Sequence, residues 1–147
     1  MSDTPDPGQP STPETPQTPG TAEATQPALD PKEIEEGKLF AALSYGLSII
    51  GLPFFIVPLV MRNNGFALFH AKQCLLIWIV ALIGYGVSLP LTFVCVGFVT
   101  LILTAIIALV WEVMGIIAST QGKMTPLFLI GPYAEKWFAG ITKVSKP

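Results

Sequence analysis

Glu112 is the one acid inside the apolar part of the chain. An ionisable side chain within a membrane span is costly to keep there. It marks a proton path, a substrate contact or a structural ion pair. Thr104, Ala108, Glu112, Gly115 and Ser119 recur at helical spacing. This stripe of small residues is the kind that lets helices approach closely, so Glu112 is expected to point into a bundle and away from lipid. Counted from a turn near Val94, Glu112 lies 18 residues down one helix and Lys72 lies 22 residues up the other. At about 1.5 Å per residue the two differ in depth by roughly 6 Å, which a snorkelling lysine covers. A polar cluster of Glu112, Lys72, Gln73 and His70, joined by Arg62, is therefore expected at the cytoplasmic rim. It would act as a proton relay or substrate contact, or more plainly as a pair that fixes helix register.

His70 precedes Cys74 by one helical turn, a spacing that suits a zinc ligand pair or a thiol–imidazole pair. The chain has no second histidine, and no acid–base pair converges on this one, so an interfacial histidine without catalysis is expected. The other cysteine is Cys95. If one helix joins the two, they stand roughly 31 Å apart, whereas a disulfide needs Cα atoms within about 7 Å. Paired carboxylates, a Ser–His arrangement and a metal-ligand cluster are all missing. No catalytic residue, metal or cofactor is expected, and an enzyme is the least favoured class.

The elements that position these residues are written in the charge pattern. Gln73 to Trp111 is a run of 39 residues without Asp, Glu, Lys or Arg, and Leu39 to Met61 is a second of 23. A helix needs about 20 apolar residues to cross a bilayer, and backbone in lipid must satisfy its own polar groups. The expected fold is all-α: an integral membrane bundle of three to four segments over residues 30–138, behind a disordered acidic tail. The first segment, 39–61, is interrupted at Gly51-Leu52-Pro53 and again at Pro58. It is either one kinked span or two half-helices that enter and leave by the same face; residues 39–50 alone reach only about 18 Å. Arg62 to Lys72 reads as a connector. Spans follow at 73–90 and 96–119, with a tight turn between them and Gly122 as a C-cap. Residues 124–138, split by Pro126 and Pro132, are expected along the interface with Tyr133, Trp137 and Phe138 at headgroup level. Residues 139–147 form a short basic tail. Ala42-x-x-x-Gly46 and Gly84-x-Gly86 offer further small-residue packing surfaces, within the bundle or between copies.

Residues 1–29 repeat Thr-Pro and carry no aromatic residue. Such a segment reads as a solvated arm with polyproline-II character. Asp30-Pro31-Lys32-Glu33 is a helix start, with Asp30 as cap and Glu33 placed for a capping box. Residues 1–36 hold eight acids and one base, for −7, and the remainder holds seven bases and two acids, for +5. The beginning lacks the basic and apolar regions of a signal peptide, so the first span is expected to serve as its own insertion signal in a bacterial plasma membrane. Lysine and arginine counts place the connector and the C-terminus in the cytoplasm. The side of the tail depends on whether the first segment spans or re-enters. Nothing points to nucleic acid.

Several short motifs together resemble a known family. Pro58-Leu59-Val60-Met61-Arg62 closes a Gly/Pro-broken first segment. Phe69-His70-Ala71-Lys72-Gln73 opens the second span. Ile117-Ala118-Ser119 ends the third before Gly122-Lys123 and Pro126-Leu127. Over about residues 37–138 the chain resembles a widespread family of small bacterial membrane proteins of unknown function, similar to the chloroplast inner-envelope protein import component (the Tic-twenty type). The resemblance implies a bundle of three to four membrane segments without established catalysis. The expected role is that of an accessory subunit or small scaffold of a membrane complex, acting with the lipid bilayer and with a membrane-protein partner or further copies of itself. The alternative is an oligomeric transport or protein-translocation channel component. It is disfavoured by the small number of helices and the sparse intramembrane charge.

Overall fold

The computed structural model describes residues 29–144. The expected tail, apart from Leu29, and the last three residues lie outside the described residues. The described part is helical: α1 (Pro31–Ile49), a short α2 (Ile56–Met61), the long α3 (Gly65–Leu91), a 3-10 turn (Thr92–Val94), α4 (Val96–Thr120) and a short α5 (Gly131–Trp137). Among the described residues, α3, continued by its 3-10 turn, and α4 are the two helices long and apolar enough to cross a membrane. They form an antiparallel hairpin.

The first segment folds back on itself. Asp30 caps α1 by accepting from the Lys32 amide at 2.9 Å, with Pro31 in the first turn. The helix stops at Ile49, and Gly51 takes a left-handed φ of 83° ahead of Pro53. That conformation is open to glycine and strained for other residues. The chain then returns through α2 to Arg62. Bonds between α1 and α3 run in parallel register: Glu33 to the start of α3, Tyr45 to His70, and Ser48 to Trp78. α1 therefore starts beside the start of α3 and ends near its middle, and the chain comes back to the end it set out from, a path that matches the second of the two arrangements the sequence allowed.

The connector is shorter than expected. Asn64 caps α3 by accepting from Ala67 N at 2.9 Å, so only residues 62–64 link the helices, and His70 and Lys72 stand within α3. The helix continues because Phe66, Ala67, Leu68 and Phe69 are all buried in the bundle. At the far tip, Pro90 falls in the last turn of α3, and Cys95 adopts φ 62° between the 3-10 turn and α4. Gly97 closes the tip, since a Cβ there would collide with the backbone at Leu91 and Thr92. Seven residues of α5 are too few to cross. α5 lies on α3 and sends Ala134 into the core, together with Leu127 and Ile130 from the preceding loop. Tyr133 and Trp137 are exposed, edge to face at 6.4 Å, while Phe138 packs against the core.

One end of the domain is tied together by polar contacts. Asn64 Nδ2 donates to the Glu33 carbonyl at 2.7 Å, and the Glu33 carboxylate accepts from Gly65 N. Lys143 pairs with Glu33 at 2.7 Å, and Val144 N donates to the Arg62 carbonyl at 2.9 Å. The expected capping box on Asp30 does not form, because Glu33 caps α3 instead. Burial tends to raise the Glu33 pKa, but Lys143 and the Gly65 N–H outweigh it and hold the carboxyl below its usual 4.5. The described ends of the chain and the connector thus share one face. The opposite tip, Leu91 to Phe98, carries no charge.

Candidate functional site

Two buried polar networks bind α1 and the C-terminal loop to α3. The first follows the Ser44–Ser48 face of α1. Ser48 Oγ donates to the Ser44 carbonyl at 2.7 Å and accepts from Trp78 Nε1 at 2.9 Å. Cys74 Sγ donates to the same carbonyl at 3.2 Å. Buried polar groups need such partners, since an unmade bond costs about 1–3 kcal/mol. The second network is centred on His70, which is 1 % exposed among Phe66, Phe69 and Tyr45. Its Nε2 lies 3.0 Å from the Lys123 carbonyl, which can only accept. Nε2 therefore carries the proton, and Nδ1 faces the Tyr45 hydroxyl at a long 3.4 Å. Gln73, fully buried, accepts from Leu127 N at 3.0 Å and leaves its Nε2 without a partner. His70 and Gln73 thus fasten the chain that follows α4 back onto α3.

Glu112 stands apart from both networks. It is 7 % exposed and, among the described residues, has neither a hydrogen bond nor an ion pair. It lines a cavity of about 420 Å³ with Ser48 at the end of α1, Trp78 and Tyr85 on α3, and Ala105 and Ala108 on α4. The cavity exists because α1 stops at mid-depth while α3 and α4 continue.

The expected rim cluster does not assemble. His70 and Gln73 serve the C-terminal loop, Arg62 is exposed in the connector, and Lys72 is buried without pairing to Glu112. Counting residues along the hairpin matched the depths of Lys72 and Glu112 but ignored azimuth. Lys72 precedes Trp78 by six residues, about 120° around α3 from the cavity-lining face. The small-residue stripe on α4 does face inward. Gly115 and Ser119 are buried, Ala108 packs on the core, and a Cβ on Gly115 would strike the Tyr45 ring. Gly84 likewise meets Thr104, where a Cβ would come within 2.6 Å of its methyl. Gly46 and Gly86 differ: nothing lies within 4 Å of a Cβ built on either, so neither mediates a close approach here.

Sequence reasoning passed over Tyr45, Trp78, Ser44 and Ser48. The i, i+4 pair of serines in an apolar run was the available signal, since polar side chains in membrane helices seek partners on neighbouring helices. Asn64 was also missed as a cap, although Asn-Gly before an apolar run is a helix-start pattern. Among the described residues no three His, Cys, Asp or Glu side chains converge as a metal site.

No curated protein and no solved structure matches the chain. A model of the MamF/MmsF family, the magnetosome magnetite crystal formation protein family, matches residues 36–133. The match runs from the first turns of α1 into α5 and takes in the folded-back first segment, the hairpin and the loop held by Gln73. It overturns the resemblance to the Tic-twenty type. The motifs behind that resemblance, such as Pro58–Arg62 and Phe69–Gln73, are short and mostly apolar, and many small membrane bundles need similar ones. The chain belongs to the magnetosome magnetite crystal formation protein family.

Proposed function

We propose that this protein is a non-enzymatic, multi-pass component of the magnetosome membrane that supports magnetite crystal formation as a small scaffold or accessory subunit. The observation that carries this reading is the family match, which spans nearly the whole helical domain. The fold is consistent with a structural role. Its buried polar groups are mostly spent on joining helices: His70 and Gln73 on the C-terminal loop, Ser48 and Cys74 on α1. The magnetosome membrane replaces the plasma membrane as the proposed site of action. Arg62, Lys123, Lys136 and Lys143 stand towards the end where residues 30–33 meet residues 143–144, the face that the positive-inside rule favours as cytoplasmic. The uncharged α3–α4 tip then faces the compartment.

Deletion of the gene in the producing cell, followed by electron microscopy of isolated magnetosomes, tests this reading. Crystals smaller or fewer than in the parent, inside vesicles that still form, are expected. A crystal size distribution identical to the parent's would overturn it. Complementation with Glu112→Gln separates scaffold from proton chemistry: a scaffold is restored by this neutral isostere, whereas a proton-coupled element is not.

A further inference from the structure

The Glu112 cavity goes beyond a scaffold's needs. A carboxyl group within a membrane span is ordinarily paired or turned to a water-filled space. Glu112 is more than nine-tenths buried, lines the cavity, and has no partner among the described residues. Its neighbours on the packing stripe, Ala108 and Gly115, are small and carry no charge. The Ser48 hydroxyl is already engaged by the Ser44 carbonyl, Cys74 and Trp78.

The walls indicate what would serve it. Ile49, Leu82 and Leu109, also part of the lining, are 44 %, 62 % and 47 % exposed on the apolar perimeter. The mouth of the cavity therefore opens towards lipid. Inside, apolar residues and the aromatic side chains of Trp78 and Tyr85 surround the single carboxylate. A volume of about 420 Å³ falls within the usual range for small-molecule sites. A carboxylate in a low-dielectric setting is best satisfied by a positive charge that also donates hydrogen bonds. Indole and phenol faces favour a cation as well. An alkyl chain on the ligand would leave through the apolar mouth.

We propose that this cavity is a lipid-accessible binding site for an amphiphile with a compact cationic amine head, held by Glu112 and flanked by Trp78 and Tyr85. The proposal rests on the cavity alone and is independent of the role in crystal formation.

The test uses the full chain in nanodiscs of zwitterionic lipid at neutral pH, with dodecylamine as the probe and dodecanol as its neutral counterpart. Saturable, stoichiometric retention of dodecylamine is expected, well above that of dodecanol. Glu112→Gln should weaken it by about tenfold or more. Ala105→Trp should do the same by filling the cavity from an exposed position on α4, where the packing of the bundle is spared. If Glu112→Gln fails to fold, Ala105→Trp decides. Equal retention by the wild type and a folded variant would overturn the proposal. So would dodecanol binding as tightly as dodecylamine, which would make the site one for neutral hydroxyl donors.

Discussion

The two halves of α3 are both strongly apolar and have opposite surroundings. From Phe66 to Ile77 every residue except Leu75 is buried, whereas from Val80 to Leu91 only Ser88 is. The first half is wrapped by α1, the end of α4 and the loop before α5. The second has α4 alone beside it. In a soluble protein such an exposed apolar stretch would mark an interface, but in a bilayer lipid solvates it as well as a neighbouring helix would. In the wrapped half small and polar residues share the interior with large apolar ones: His70, Gln73 and Cys74 beside Phe66, Phe69 and Ile77 on α3, Ser44 and Ser48 on α1, Gly115 and Ser119 on α4.

The largest test of this contrast is truncation in each half. Ile77→Ala opens a void in the wrapped half and should cost about 2–5 kcal/mol. Leu89→Ala, 60 % exposed in the outer half, should cost less than about 0.5 kcal/mol. Unfolding in mixed micelles measures both, and a large loss at Leu89 would mean that another protein surface covers the outer hairpin. Next come the glycines. Gly115→Ala drives a methyl into the buried Tyr45 ring and should cost about 1–3 kcal/mol, while Gly86→Ala, with open space around it, should stay within about 0.5 kcal/mol. Asn64→Ala removes the α3 cap and the bond to the Glu33 carbonyl, for a loss of about 1–2 kcal/mol.

The smallest effect is expected at Glu33. Its carboxyl titrates lower in the folded protein than in the unfolded chain, so its contribution is present above the ordinary value of 4.5 and fades as pH falls through the folded value. Acidification below about 4.5 should therefore loosen the segment around Lys143 before the helices melt. Limited acid proteolysis would show this as early cleavage near residues 139–144, and Glu33→Gln should show the same cleavage at neutral pH.

Much of the fold was legible in the sequence for physical reasons. Charge-free length pointed to α3 and α4, the two described helices able to cross, but it marked 39–61 equally, and there the break at Gly51-Pro53 follows from backbone restrictions alone. Asp30-Pro31 marked the start of α1. The site was less legible. Glu112 stood out because an acid amid apolar residues has few ordinary explanations, and the inward stripe on α4 followed from helical spacing. Its surroundings did not follow, because depth along a hairpin can be counted whereas azimuth depends on how three helices pack. The same gap hid the role of His70 and Gln73, which bind a loop more than fifty residues away in sequence. Whether α1 spans or re-enters was also undecidable from length and charge. The fold-back of the chain rests on side-chain bonds such as Asn64 to Glu33, which align the starts of α1 and α3.

The re-entrant, one-faced architecture is the central claim, and the exposed native Cys95 at the α3–α4 tip provides a reporter for it. Sealed vesicles of defined orientation would be labelled with a membrane-impermeant maleimide, using Lys32→Cys, Asn63→Cys and Lys136→Cys, each at an exposed position. All three introduced cysteines should label from the same side and Cys95 from the other. Labelling of Lys32→Cys from the Cys95 side would show that the first segment crosses the membrane and would contradict the account.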